Sequence, residues 1–80
     1  MSVRTISPRY VSLREWTDFM TPALEQYGNL ARLDNDDWKS WAVALLNMPM
    51  LSGNVVPNPY TFDDWRLWAQ RLNANLSEIP

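Results

Sequence analysis

Eighty residues make one domain near the lower limit of what folds alone in water, burying only roughly 60% of the surface of the unfolded chain. Cysteine and histidine are both absent, which excludes disulfides and thiolate zinc sites and removes the commonest general base and imidazole metal ligand. Seven basic against nine acidic side chains give a net charge of −2, the wrong sign for a general nucleic-acid binder. So small a chain needs a rich core or a partner. Trp16, Trp38, Trp41, Trp65 and Trp68, with Phe19, Phe62, Tyr10, Tyr27 and Tyr60, supply large rings that each bury on the order of 150–250 Å².

Residues 1–11 read as an extended arm, because Pro8 disfavours helix at Ser7 and Val3, Thr5, Ile6 and Val11 are β-branched. The arm is expected to lie against its own domain or a partner. Arg4 and Arg9 on it, and Arg14 just beyond, suit protein carboxylates or water better than phosphate.

A first helix is expected over 12–28, opened by a Ser12/Glu15 capping box. Leu13, Trp16, Phe19, Met20, Ala23 and Tyr27 form its apolar face at 100° per residue. Pro22 should kink or break it, and Thr21-Pro22 could restart a second short helix. Gly28 should end the segment.

After a polar turn from Asn29 to Asp34, a helix over 35–48 is capped by Asp34 or Asn35, with Asp36 and Asp37 on the positive end of its dipole. Trp38, Trp41, Ala42, Leu45 and Met48 share a face that Val43, Ala44 and Leu46 widen, as in a central helix. Residues 49–60, with Pro49, Pro57, Pro59 and Gly53, form an extended linker. The last helix, 61–75, is capped by Thr61 with Asp64 and carries the stripe Phe62, Trp65, Trp68, Ala69, Leu72 and Leu76. Asp63, Arg66, Gln70 and Arg71 face away, and the final residues should fray.

The fold class is therefore all-α: a small domain of three helices, or four if Pro22 splits the first, with an extended arm and a proline-rich linker. On this reading, replacing Trp38 or Trp65 by Ala costs about 3–5 kcal/mol.

Asp36-Asp37-Trp38-Lys39-Ser40-Trp41-Ala42 is echoed by Asp63-Asp64-Trp65-Arg66-Leu67-Trp68-Ala69, with Leu45 and Leu72 one turn later. The first helix repeats the phrase loosely as Glu15-Trp16, Phe19, Met20 and Ala23. Convergence on one good way to start a helix explains this simply; duplication or matched docking sites are the alternatives.

Little here suggests catalysis. Asp34, Asp36 and Asp37 offer three carboxylates that run straight into a helix, without the ligand count or glycine of a calcium loop. Two glycines make no phosphate-cradling loop, and tryptophans at helical spacing pack cores more often than they stack ligands. No metal, cofactor or small-molecule substrate is indicated. The longest apolar run, Trp41 to Leu46, is far short of the roughly 18 residues of a membrane span. The surplus of apolar groups says more. Met50, Leu51, Val55, Val56, Pro57, Pro59 and Tyr60 on the linker, with Leu67 on the polar side of its helix, are the candidate protein-interaction residues, suited to a groove of this chain or of a partner.

The phrases Asp-Asp-Trp-x-x-Trp-Ala, Asn-Pro-Tyr-x-Phe-Asp-Asp-Trp and Leu-Arg-Glu-Trp-Thr resemble short proteins of tailed bacteriophages, particularly short-tailed ones, encoded near the tail-fibre and head–tail modules. The resemblance runs over roughly residues 8–75 and carries no catalytic signature. It implies a non-enzymatic virion structural or adaptor protein, assembled in the host cytoplasm and bound in symmetric multiple copies to larger tail, fibre or portal-proximal subunits. A small regulatory binder that sequesters a host or phage protein is the alternative.

Overall fold

The computed structural model describes residues 4–33, 37–51 and 55–78. Three helices are formed, α1 (Leu13–Leu24), α2 (Trp38–Leu46) and α3 (Trp65–Leu76), with 3-10 turns at Glu25–Tyr27 and Pro59–Thr61. No strand occurs among the described residues, so the domain is small and all-α, as expected.

Each helix starts on a side-chain oxygen that satisfies an otherwise free amide. At α1 the expected capping box is complete: the Glu15 amide donates to Ser12 Oγ at 3.1 Å, and the Ser12 amide to Glu15 Oε1 at 3.1 Å. At α2 the cap is Asp37, which accepts from the Ser40 amide at 3.3 Å and the Ser40 hydroxyl at 2.7 Å. The expected caps Asp34 and Asn35 lie outside the described residues, as does Asp36. At α3 the cap is Asp64, accepting from the Arg66 amide at 3.0 Å, and not Thr61. Thr61 belongs to the preceding 3-10 turn, which Asn58 caps through the Tyr60 amide at 3.0 Å. Two short capped units replace one long helix there because Pro59 at the first position of the turn starts it early, and Phe62 is extended.

Counted from the caps, the three helices share one register. The fourth helical residue is Trp16, Trp41 or Trp68; the fifth is Thr17, Ala42 or Ala69; the eighth is Met20, Leu45 or Leu72. All nine are buried. The loose echo in α1 is thus real in structure but shifted: Trp16 corresponds to Trp41 and Trp68, and Leu13 to Trp38 and Trp65.

The three fourth-position indoles meet edge to face. Centroids lie 5.5 Å apart for Trp16–Trp41, 6.0 Å for Trp16–Trp68 and 6.1 Å for Trp41–Trp68, with ring planes at 73°, 81° and 84°. This is the arrangement that aromatic quadrupoles favour. Trp65 packs on Trp16 at 5.9 Å and Trp38 on Trp68 at 5.7 Å, both tilted and partly exposed.

Several expectations change. α1 continues through Pro22 to Leu24 before tightening into the 3-10 turn. Pro22 is exposed and sits in the last turns, where the lost amide costs a single hydrogen bond and no core packing. The buried face of α1 is rotated toward Thr17, Thr21 and Leu24, leaving Phe19 37% exposed. The threonines can be buried because Thr17 Oγ1 donates to Arg14 O at 3.1 Å and Thr21 Oγ1 to Thr17 O at 2.6 Å. The turn read as polar contributes Leu30 and Leu33 to the core. α2, read as central, exposes Ala44 and only partly covers Val43 and Leu46. The point shared by all three helices is the tryptophan triad.

Gly28 ends the first segment at φ 153°, ψ −178°, a conformation open essentially to glycine alone. A Cβ there would find only ordinary contact with Met48, at 3.7 Å, so backbone strain decides the cost.

Trp16→Ala and Trp68→Ala are each expected to cost about 3–5 kcal/mol in urea unfolding, enough to abolish cooperative melting. The partly exposed Trp38→Ala and Trp65→Ala should cost less, about 1–2 kcal/mol, which revises the figure drawn from sequence. Gly28→Ala is expected to cost about 1–3 kcal/mol while leaving the near-ultraviolet tryptophan signal unchanged.

Candidate interaction surface

An extended segment outside a sheet must find partners for its carbonyls. The linker finds them on α3. Trp68 Nε1 donates to Pro57 O at 2.8 Å, and Asn75 Nδ2 to Val55 O at 2.9 Å. The arm is held in the same manner: Trp16 Nε1 at 3.1 Å and Asn73 Nδ2 at 2.7 Å both donate to Ile6 O. One indole and one carboxamide fix each segment.

These bonds sort the candidate interaction residues. Leu51 and Val56 are buried at 7% and 4% exposure, and Pro59 is fully buried. These three are core, not docking residues, because the groove the linker fills belongs to this chain. Val55 and Pro57 are partly buried on the same groove. Met50, Tyr60 and Leu67 remain in solvent at 69%, 70% and 54%.

Sequence reasoning missed Tyr10, which is 88% exposed although counted there as core payload. Arg66 Nη2 donates to Val11 O at 3.3 Å, making a junction of arm and α3 whose sequence neighbours are Tyr10 and Leu67. The Arg66 guanidinium also lies over the Trp65 ring, 4.7 Å from its centroid. Tyr, Arg and Trp are the residue types enriched in protein-binding hot spots. Tyr60 and Met50 lie apart from this junction in sequence, on the 3-10 turn packed beside α2 and just after α2 itself.

Glu15, Asp37 and Asp64 act at helix starts. Hydrogen bonds from the Ser40 hydroxyl and amide hold the Asp37 carboxyl below its ordinary value of 3.8. Asp64 caps α3, and Asp63 is exposed. No group of three or more metal-ligating side chains occurs among the described residues. Two open hollows flank Ala31 and Ala44. One, of about 190 Å³, is lined by Ala31, Arg32, Asp37, Ser40, Trp41 and Ala44; the other is lined by Glu25, Asn29, Leu30, Ala31 and Ala44. Trp41, which lines the first hollow, has its Nε1 buried without an acceptor among the described residues. No described helix is long and apolar enough to cross a membrane.

Compared with protein-family models, curated proteins and solved structures, the chain shows no match.

A depressed carboxyl stabilises the folded state above its unfolded value, and that contribution disappears as pH falls through the folded value. Asp37 should therefore titrate below 3.8 by carboxyl NMR in the folded protein, and Ser40→Ala should move it back up.

Proposed function

We propose that this chain is a non-enzymatic adaptor: a small, rigid, tryptophan-cored domain that binds larger proteins through side chains displayed on its surface. The observation that carries this reading is the exposure of Tyr10, Met50, Tyr60 and Leu67 on a domain whose own arm and linker already fill its grooves. A core closed in this way does not need those four side chains for folding. Large exposed aromatic and aliphatic groups are typical binding anchors.

The setting follows from the tryptophan phrases and their resemblance to short structural proteins of tailed phages. On that reading the domain is a virion component, a minor tail, fibre-attachment or head–tail adaptor present in symmetric multiple copies. Its partners are larger tail, fibre or portal-proximal subunits, and it is assembled into particles in the host cytoplasm.

Mass spectrometry of purified, salt-washed particles of a phage encoding the chain is expected to recover it in stoichiometric amounts. Its absence from particles, with abundance in infected cells, would turn the reading to a sequestering regulator. Tyr60→Asp combined with Leu67→Asp should remove it from particles while shifting stability by no more than about 0.5 kcal/mol per exposed site.

A further inference from the structure

The domain holds residues 4–11 much as a peptide-binding domain holds its ligand. A single carbonyl, Ile6 O, receives donors from two different helices, Trp16 Nε1 of α1 and Asn73 Nδ2 of α3. Pro8 is fully buried, while Ile6 and Val11 pack partly buried against the core. Arg4, Thr5, Ser7, Arg9 and Tyr10 face solvent. The fit is tightest at an Ile-x-Pro unit and the Ile6 carbonyl, with Arg66 Nη2 on Val11 O beyond it.

Two features loosen this segment. The stretch that joins it to α1, Arg9–Ser12, is exposed or partly exposed. The closed arm also leaves Asn73 Oδ1 buried with no donor among the described residues, a cost that opening removes.

We propose that the seam between α1 and α3 is an exchangeable peptide site whose second occupant is the arm of another copy of this chain. A second copy carries the peptide this seam already fits, so every contact made within one chain can be made between two, reciprocally. The balance then depends on concentration alone. The short tether gives a chain's own arm an effective concentration on the order of millimolar, so the exchanged dimer forms when copies are crowded to that level or when the connection cannot close. Multi-copy assembly would supply such crowding, but the exchange itself does not rest on the phage reading.

The test is size-exclusion with light scattering on the full chain. Wild type is expected to be monomeric at micromolar concentration, with a dimer growing in toward millimolar. Deleting Tyr10 shortens the connection, and the dimer should then dominate at roughly tens of micromolar. Deleting residues 1–9 removes the exchanged segment itself and should abolish the dimer while circular dichroism still reports helix. A wild-type chain that stays monomeric at millimolar concentration overturns the proposal. So does a dimer that survives deletion of residues 1–9. If either altered chain fails to fold, the wild-type concentration series decides alone.

Discussion

The contact on which the rest of the structure depends is the mutual edge-to-face packing of Trp16, Trp41 and Trp68, one ring from each helix. Eighty residues cannot assemble a large aliphatic core, and no disulfide or thiolate metal site is open to this chain. Three indoles at the same helical position solve the problem by area: each fills the space between the other two helices, and one contact point fixes three helix orientations. The small or back-bonded residue that follows each ring, Thr17, Ala42 or Ala69, lets the neighbouring elements approach. Met20, Leu45 and Leu72 then extend the same packing one turn further along each helix. The chain measures 29 × 24 × 22 Å with a radius of gyration of 11.3 Å, close to the roughly 11.6 Å of a compact chain of this length.

The polar edges of those rings do a second task. A buried indole N–H needs an acceptor, and an extended segment has carbonyls to spare. Trp16 meets the arm at Ile6 and Trp68 meets the linker at Pro57, with Asn73 and Asn75 adding a carboxamide on each side. Two segments without regular structure are thereby built into the fold by the same side chains that form its centre. This coupling, with Leu51, Val56 and Pro59 buried, leaves the linker little freedom as an independent binding peptide. The trade is incomplete at two atoms, Trp41 Nε1 and Asn73 Oδ1, which are buried without partners among the described residues.

What lies outside is unevenly distributed. Tyr10 and Leu67 are exposed next in sequence to the bonded Val11 and Arg66, and the Arg66 guanidinium is held over the Trp65 ring. Tyr60 lies on the 3-10 turn packed beside α2, and Met50 follows α2 in the chain.

Sequence by itself determined the helix content, the Ser12 cap, the tryptophan stripes and the role of Gly28, because each depends on residues within about one helical turn. It also showed the echo between α2 and α3. It did not fix the register of α1, since Thr17 and Thr21 look polar until their hydroxyls are seen to bond within their own helix. Nor could it place Leu30 and Leu33, or say whether Leu51, Val56 and Pro59 served this chain or a partner. Those questions turn on contacts between residues far apart in sequence: Pro57 with Trp68, and Ile6 with Asn73. An exposed and a buried linker have the same composition. Only the helices packed beside the segment decide whether its carbonyls find donors in this chain, and here they do.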